Sequence, residues 1–141
     1  MKPETSAFLA KSKELLDRAP ALLAQDFTDD AGRAAYLAGF HAAQALIFEK
    51  HGRSPKSHGG VQSEFALLVK NEPIIDRDLR AFLGRTYNLK AIADYETGPG
   101  SKVSTAQATE AIAAARSFVA AIVGLLPVIP APPSQTPDAP P

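Results

Sequence analysis

Arg53 and His58 are separated by four residues in Lys50-His51-Gly52-Arg53-Ser54-Pro55-Lys56-Ser57-His58, a segment with three cations, two of the chain's three histidines and no acid. A guanidinium stays charged and grips a phosphate at two points, whereas an imidazole with an unperturbed pKa near ~6.5 moves protons at neutral pH. Such a pair suits RNA cleavage. The histidine would take the proton from a ribose 2′-OH or give one to the leaving 5′-oxygen, and the arginine would stabilise charge on the phosphorus. Lys50, His51, Ser54, Lys56 and Ser57 would hold the substrate around them. One imidazole cannot easily act as acid and base at once, so a two-fold dimer that joins two such loops belongs to this reading. A second reading stays open: a short basic loop that only keeps itself solvated.

The loop needs helices on both sides to position it. Glu4 to Gln25 carries Phe8, Leu15, Leu16, Leu22 and Leu23 at near-helical spacing, with Thr5 or Ser6 as candidate N-caps and Pro20 as a candidate kink. Phe27-Thr28-Asp29-Asp30 offers capping side chains to a second helix from about Asp29 to Lys50, whose Tyr36, Phe40, Ala43 and Ile47 form an apolar stripe. Gly52 and Pro55 turn the chain. Ser57 can cap a third helix through Val61, Phe65, Leu68 and Val69, which ends near Asn71-Glu72-Pro73. A fourth runs from Asp76 to Tyr95. Ser104 or Thr105 opens an alanine-rich fifth that buries Ile112, Ala115, Val119 and Ile122. The absence of strand or hairpin patterns makes the fold all-α, an antiparallel bundle of four to five helices with no sheet. Residues 1–126 form the bundle, and 127–141, with seven of the twelve prolines, form a disordered or extended tail.

Composition narrows the chemistry further. The chain has 141 residues, 45% hydrophobic and 21% charged, with Lys plus Arg and Asp plus Glu equal at 15. That fits one globular domain with no global attraction to nucleic acid, so anion binding must be local. Without cysteine there are no thiolate zinc sites, disulfides or thiol nucleophiles. His51 and His58 with Asp29 or Asp30 match no metal-ligand spacing, and Gly98-Pro99-Gly100-Ser101-Lys102 has the wrong order for a phosphate-binding loop. No metal or cofactor is expected. The apolar run Ala111 to Leu126 is interrupted and shorter than the ~20 residues that span a bilayer, so it reads as a buried helix. A cytoplasmic protein without membrane contact is expected. Outside the loop, His41 reads as a packed histidine with one hydrogen bond, and Arg33, Asp94 and Tyr95 as a polar network that shapes the site or locks the bundle. Tyr36 and Tyr87 read as core aromatics.

The run from Arg33 through Tyr36, Phe40 and His41 to Leu46, then Gly52-Arg53-Ser54-Pro55-Lys56-Ser57-His58 and Ala93-Asp94-Tyr95, resembles the HEPN domain family over about Lys2 to Leu125. The resemblance implies a helical, usually dimeric bundle. It also implies a metal-independent ribonuclease motif of the form Arg-x4-6-His, which Arg53 and His58 fit. Many such ribonucleases are toxins or antiviral effectors, so the resemblance implies a toxin or stress effector in this chain. They are often paired with a nucleotidyltransferase antitoxin that modifies a tyrosine two residues after the motif histidine. Here that position is Gly60. Other family members are non-catalytic modules that bind a nucleotide or a nucleotidyltransferase partner.

Overall fold

The computed structural model describes residues 1–98 and 102–127. Five helices follow one another: α1 Pro3–Ala24, α2 Thr28–His51, α3 His58–Leu68, α4 Arg77–Tyr95 and α5 Thr105–Leu125. No strand occurs among the described residues, so the all-α bundle read from the sequence is what the chain forms. The tail from Val128 onward and Pro99, Gly100 and Ser101 of the fourth loop lie outside the described residues.

The centre of the bundle is α2, which packs on each of the other four helices. Fifteen of its 24 residues are buried, so it is covered nearly all round and not only along the expected stripe. Its small residues explain this: Gly32, Ala34, Ala35, Ala38, Gly39, Ala42, Ala43 and Ala45 let neighbouring helices approach from several sides. The limit is reached at Gly39, where an added Cβ would collide with the Phe82 ring of α4. Phe82 in turn stacks on Phe118 of α5 at 4.6 Å between centroids, and Phe118 meets Phe65 of α3 at 5.3 Å. One aromatic seam therefore ties α3, α4 and α5 beneath α2.

The helix ends follow local rules, with some departures from expectation. Ser57 accepts the Gly60 amide at 3.0 Å, Asp76 accepts the Leu79 amide, and Ser104 with Gln107 completes a capping box. By contrast, Thr5 and Ser6 do not cap α1, which starts at Pro3; the Thr5 hydroxyl is buried and donates to Glu49 at 2.9 Å. Nor do the side chains of Thr28 to Asp30 cap α2, because Asp29 accepts the amide of Val103 at 2.7 Å and ties the start of α5 to α2. Pro20 sits inside an unbroken α1, and α3 stops at Leu68, short of the proline. At 21 residues α5 is long and apolar enough, by length and composition, to cross a membrane, so the expected shortness does not hold. Ala108, Ala111, Ile112, Ala115, Phe118, Val119 and Ile122 are nevertheless buried in the bundle, as the buried-helix reading required.

Candidate functional site

The loop that leaves α2 is shaped by its own residues before any chemistry enters. Gly52 adopts φ 73°, a left-handed conformation that favours glycine, and its amide returns to the Phe48 carbonyl at 2.8 Å. Buried Gln44 donates to the Pro55 carbonyl at 3.2 Å and anchors the loop to α2. The same amide group accepts from His41 Nδ1 at 2.8 Å, so half-buried His41 supports the loop through Gln44. Burial pushes the His41 imidazole below its ordinary value. His41 thus has the single hydrogen bond expected of a packed histidine.

The loop sends its two histidines to different environments. His51 Nδ1 lies 2.7 Å from Glu64, and Arg53 Nη1 reaches the other oxygen of that carboxylate at 3.2 Å. Both stay exposed, with 67% of the Arg53 side chain open to solvent. The segment has no acid of its own, but α3 returns one to it. Bonds from His51 and Arg53 keep the Glu64 carboxyl below its ordinary range. Lys50 and Lys56 are exposed and make no ion pair among the described residues. The hydroxyls of Ser54 and Ser57 bond to the Pro55 carbonyl and the Gly60 amide.

His58, the first residue of α3, turns inward. Positions 58 and 64 are about 120° apart around a helix, so Glu64 and His58 face different ways. The His58 ring packs among Phe40, Tyr87 and Tyr36, with centroids 4.6, 5.4 and 5.6 Å away. Its Nδ1 lies 2.8 Å from the Tyr36 hydroxyl. Tyr36 is fully buried, and desolvation pushes its pKa up to about 12, so its hydroxyl keeps its proton and can donate or accept. Desolvation first, and then the Lys90 ammonium, push His58 below its ordinary 6.5. Both favour the neutral form of the ring.

Beyond His58 lies a second charged group. Arg33 of α2 donates to Asp94 of α4 at 2.9 Å, and Lys90 Nζ approaches the other oxygen of Asp94 at 3.0 Å. Lys90 Nζ also donates to the Tyr95 hydroxyl at 3.1 Å and sits 4.7 Å from that ring's centroid. Only 8% of the Lys90 side chain is exposed. Helical spacing explains the convergence: Arg33, Tyr36, Phe40 and Gln44 recur at i, i+3, i+7 and i+11, and Tyr87, Lys90 and Asp94 at i, i+3 and i+7. Sequence reading singled out Arg33, Asp94 and Tyr95 but missed Lys90 and the contact of Tyr36 with His58. The i, i+4 spacing of Lys90 and Asp94 was the available signal.

Within one chain, therefore, the structure joins His58 to Tyr36, Phe40 and Tyr87 beside the Arg33–Asp94–Lys90 network, and joins Arg53 to Glu64 and His51. Gly60, at the position of the family tyrosine, has no room for a side chain: an added Cβ would lie 2.7 Å from Ser57 Oγ and 2.9 Å from Pro55 Cβ. Among the described residues, no three His, Cys, Asp or Glu side chains are arranged to hold a metal ion.

Comparison with known proteins agrees with this architecture. The chain is 34% identical over 119 residues to "Putative toxin MJ0605" of Methanocaldococcus jannaschii, covering 84% of this chain and 86% of that protein. It is 28% identical over 95 residues to "Putative toxin MJ0142" of the same organism, covering 67% of this chain and 64% of that protein. The sequence profile of the HEPN domain matches residues 5–125, a span that takes in all five helices but for the first two residues of α1, and the chain belongs to the HEPN domain family.

Proposed function

We propose that the chain is a homodimeric endoribonuclease of the HEPN type that acts as a toxin or stress effector, with His58 as its proton-transfer group and Arg53 as its phosphate contact. The observation that carries this reading is the environment of His58. Its ring is packed at the start of α3 with Nδ1 fixed on Tyr36, in surroundings that favour the neutral form. When Nδ1 donates to the Tyr36 oxygen, Nε2 presents a lone pair to a ribose 2′-OH. The 2′-oxygen then bonds to phosphorus and the bond to the 5′-oxygen breaks, leaving a 2′,3′-cyclic phosphate and a 5′-hydroxyl. The departing 5′-oxygen takes its proton from a second His58 across the two-fold axis, in its imidazolium form, while the first ring keeps the proton of the 2′-OH, so the two exchange roles in the next turnover. Arg53 lies on the exposed side of the loop, where a partner chain can meet it. The toxin part of the reading is supported by the names of the two archaeal relatives.

One observation favours a non-catalytic module that binds a nucleotide or a nucleotidyltransferase partner: Arg53 is paired with Glu64 and not directed at His58. A single experiment separates the two. Purified protein and His58→Ala, matched in oligomeric state, are incubated with labelled single-stranded RNA in EDTA. Cleavage with cyclic phosphate ends by the parent and not the variant supports the ribonuclease. Equal cleavage by both, or none by either, sinks it.

A further inference from the structure

Tyr36 and Tyr87, which flank His58, each stand about one helical turn from a cation of the α2–α4 network, Arg33 and Lys90, whereas the loop pair is directed at Glu64. Arg33 and Lys90 converge on the two oxygens of one carboxylate, Oδ1 at 2.9 Å and Oδ2 at 3.0 Å. Two cations around one anion leave a net positive charge at the site. The charges of Lys90, Asp94 and Arg33 all act on His58, and that of Lys90 on Tyr36 as well, which puts the network and the imidazole in one electrostatic neighbourhood. Tyr95 lies at the outer edge, 69% exposed despite its size, with Lys90 against its ring. A carboxylate held between a guanidinium and an ammonium occupies the position that a phosphate oxygen pair would take. An exposed aromatic beside it is a surface on which a base can stack.

We propose that Arg33 and Lys90 form an anion site beside His58 that takes a phosphodiester of single-stranded RNA, with Tyr95 as the stacking surface for an adjacent base and the Asp94 carboxylate holding the phosphate's place in the free chain. This rests on the ribonuclease reading for its choice of ligand. It differs in assigning the phosphate contact nearest His58 to α2 and α4 of the same chain. Binding then requires Asp94 to yield, so Asp94 opposes the ligand while Arg33, Lys90 and Tyr95 favour it. A network that only locks the bundle would give all four substitutions the same sign.

The test uses the full chain and a fluorescent single-stranded oligonucleotide of 2′-O-methyl RNA, which binds but has no 2′-OH to attack. Affinity is read by anisotropy across a salt series, with thermal melting of each variant alongside. Arg33→Gln should weaken binding roughly 5-fold to 10-fold and lower the salt slope by about 0.7, the contribution of one phosphate contact on a single strand. Lys90→Gln should act likewise, and the more exposed Arg33 guards against a folding defect at Lys90. Tyr95→Ser should weaken binding with the salt slope unchanged. Asp94→Asn should tighten it a few-fold.

Unchanged affinity in a folded Arg33→Gln, or weaker binding in a folded Asp94→Asn, overturns the site. If the parent binds and cleaves RNA while Arg53→Gln alone loses affinity, the site fails and the ribonuclease reading survives. A parent that neither binds the oligonucleotide nor cleaves RNA removes both.

Discussion

The two ends of one loop show how surroundings divide identical side chains. His51 and His58 are seven residues apart, yet His51 lies in solvent against a carboxylate, whereas His58 is half-buried among three aromatic rings, one of them the Tyr36 phenol it bonds. The outer cluster of His51, Arg53 and Glu64 is a surface ion-pair group, adjustable by salt and by any partner that offers a better anion. The inner cluster of His58, Tyr36 and Tyr87 beside Arg33, Lys90 and Asp94 is fixed by three helices. Proton transfer needs an oriented imidazole with a stable tautomer, which the inner cluster can provide. A first, adjustable phosphate contact tolerates more movement, which suits Arg53 in the outer one.

The largest expected effect comes from removing the inner imidazole. His58→Gln keeps a hydrogen-bonding side chain and should reduce RNA cleavage by at least ~10²-fold, the lower end of what a general acid or base contributes. Arg53→Gln should cost less than His58→Gln if the clusters divide the work as described. Rates under saturating RNA decide this, and equal losses would erase the distinction between the clusters. The pH dependence has a definite sign. Because the folded pKa of His58 is depressed, its contribution to stability is fully present above the unfolded value of 6.5 and is lost as pH falls through the lower folded value. The acid limb of the cleavage profile should likewise fall below 6.5.

Next in size is the scaffold that brings α4 to the inner cluster. Gly39→Ala places a methyl group against the Phe82 ring and should destabilise the fold by about 1–3 kcal/mol, the usual cost of overpacking a closed core. Chemical denaturation measures it. Because Phe82 lies on α4 with Tyr87 and Lys90, the variant should also impair cleavage by whatever fraction remains folded, whereas binding of anions by the outer cluster should survive in that fraction.

Tyr36→Phe makes a finer cut within the inner cluster. It removes the Nδ1 partner but keeps the ring that packs on Phe40 and Tyr87. Loss of one such hydrogen bond costs on the order of 1 kcal/mol. The informative readout is kinetic: kcat should fall several-fold with KM little changed, since the imidazole loses its orientation and not its access to substrate. A KM effect alone would assign Tyr36 to packing.

These contrasts also show what the sequence could and could not disclose. Helical periodicity and the residues that resemble the HEPN family were enough for five helices and for attention to the loop, because both are local features. Ser57 and Ser104 were readable as caps for the same reason. The direction of His58 was not readable, since it depends on the closeness of α2 and α4, set by Gly39 meeting Phe82. Lys90 stayed hidden because a lysine on an amphipathic helix ordinarily faces water, and only Asp94 and Tyr95, folded back over it, keep it in place. Glu64 was overlooked because the acid that balances the loop comes from the next helix, one and a half turns past His58.

The smallest effect should come from Glu64, and it sharpens the comparison most directly. Glu64→Gln frees Arg53 and His51 from their shared carboxylate without touching the residues around His58. The pairs lie at the surface, so the melting temperature at neutral pH should hardly move. The folded carboxyl has a depressed pKa, so what stability it adds is present above 4.5 and lost as pH falls through the folded value; the variant and parent should converge in acid. Affinity for single-stranded RNA should rise a few-fold in the variant at low salt, with the difference fading as salt increases. A fall in affinity would mean that Glu64 holds Arg53 in its binding position instead of competing with the ligand, and the outer cluster would then be as preorganised as the inner one.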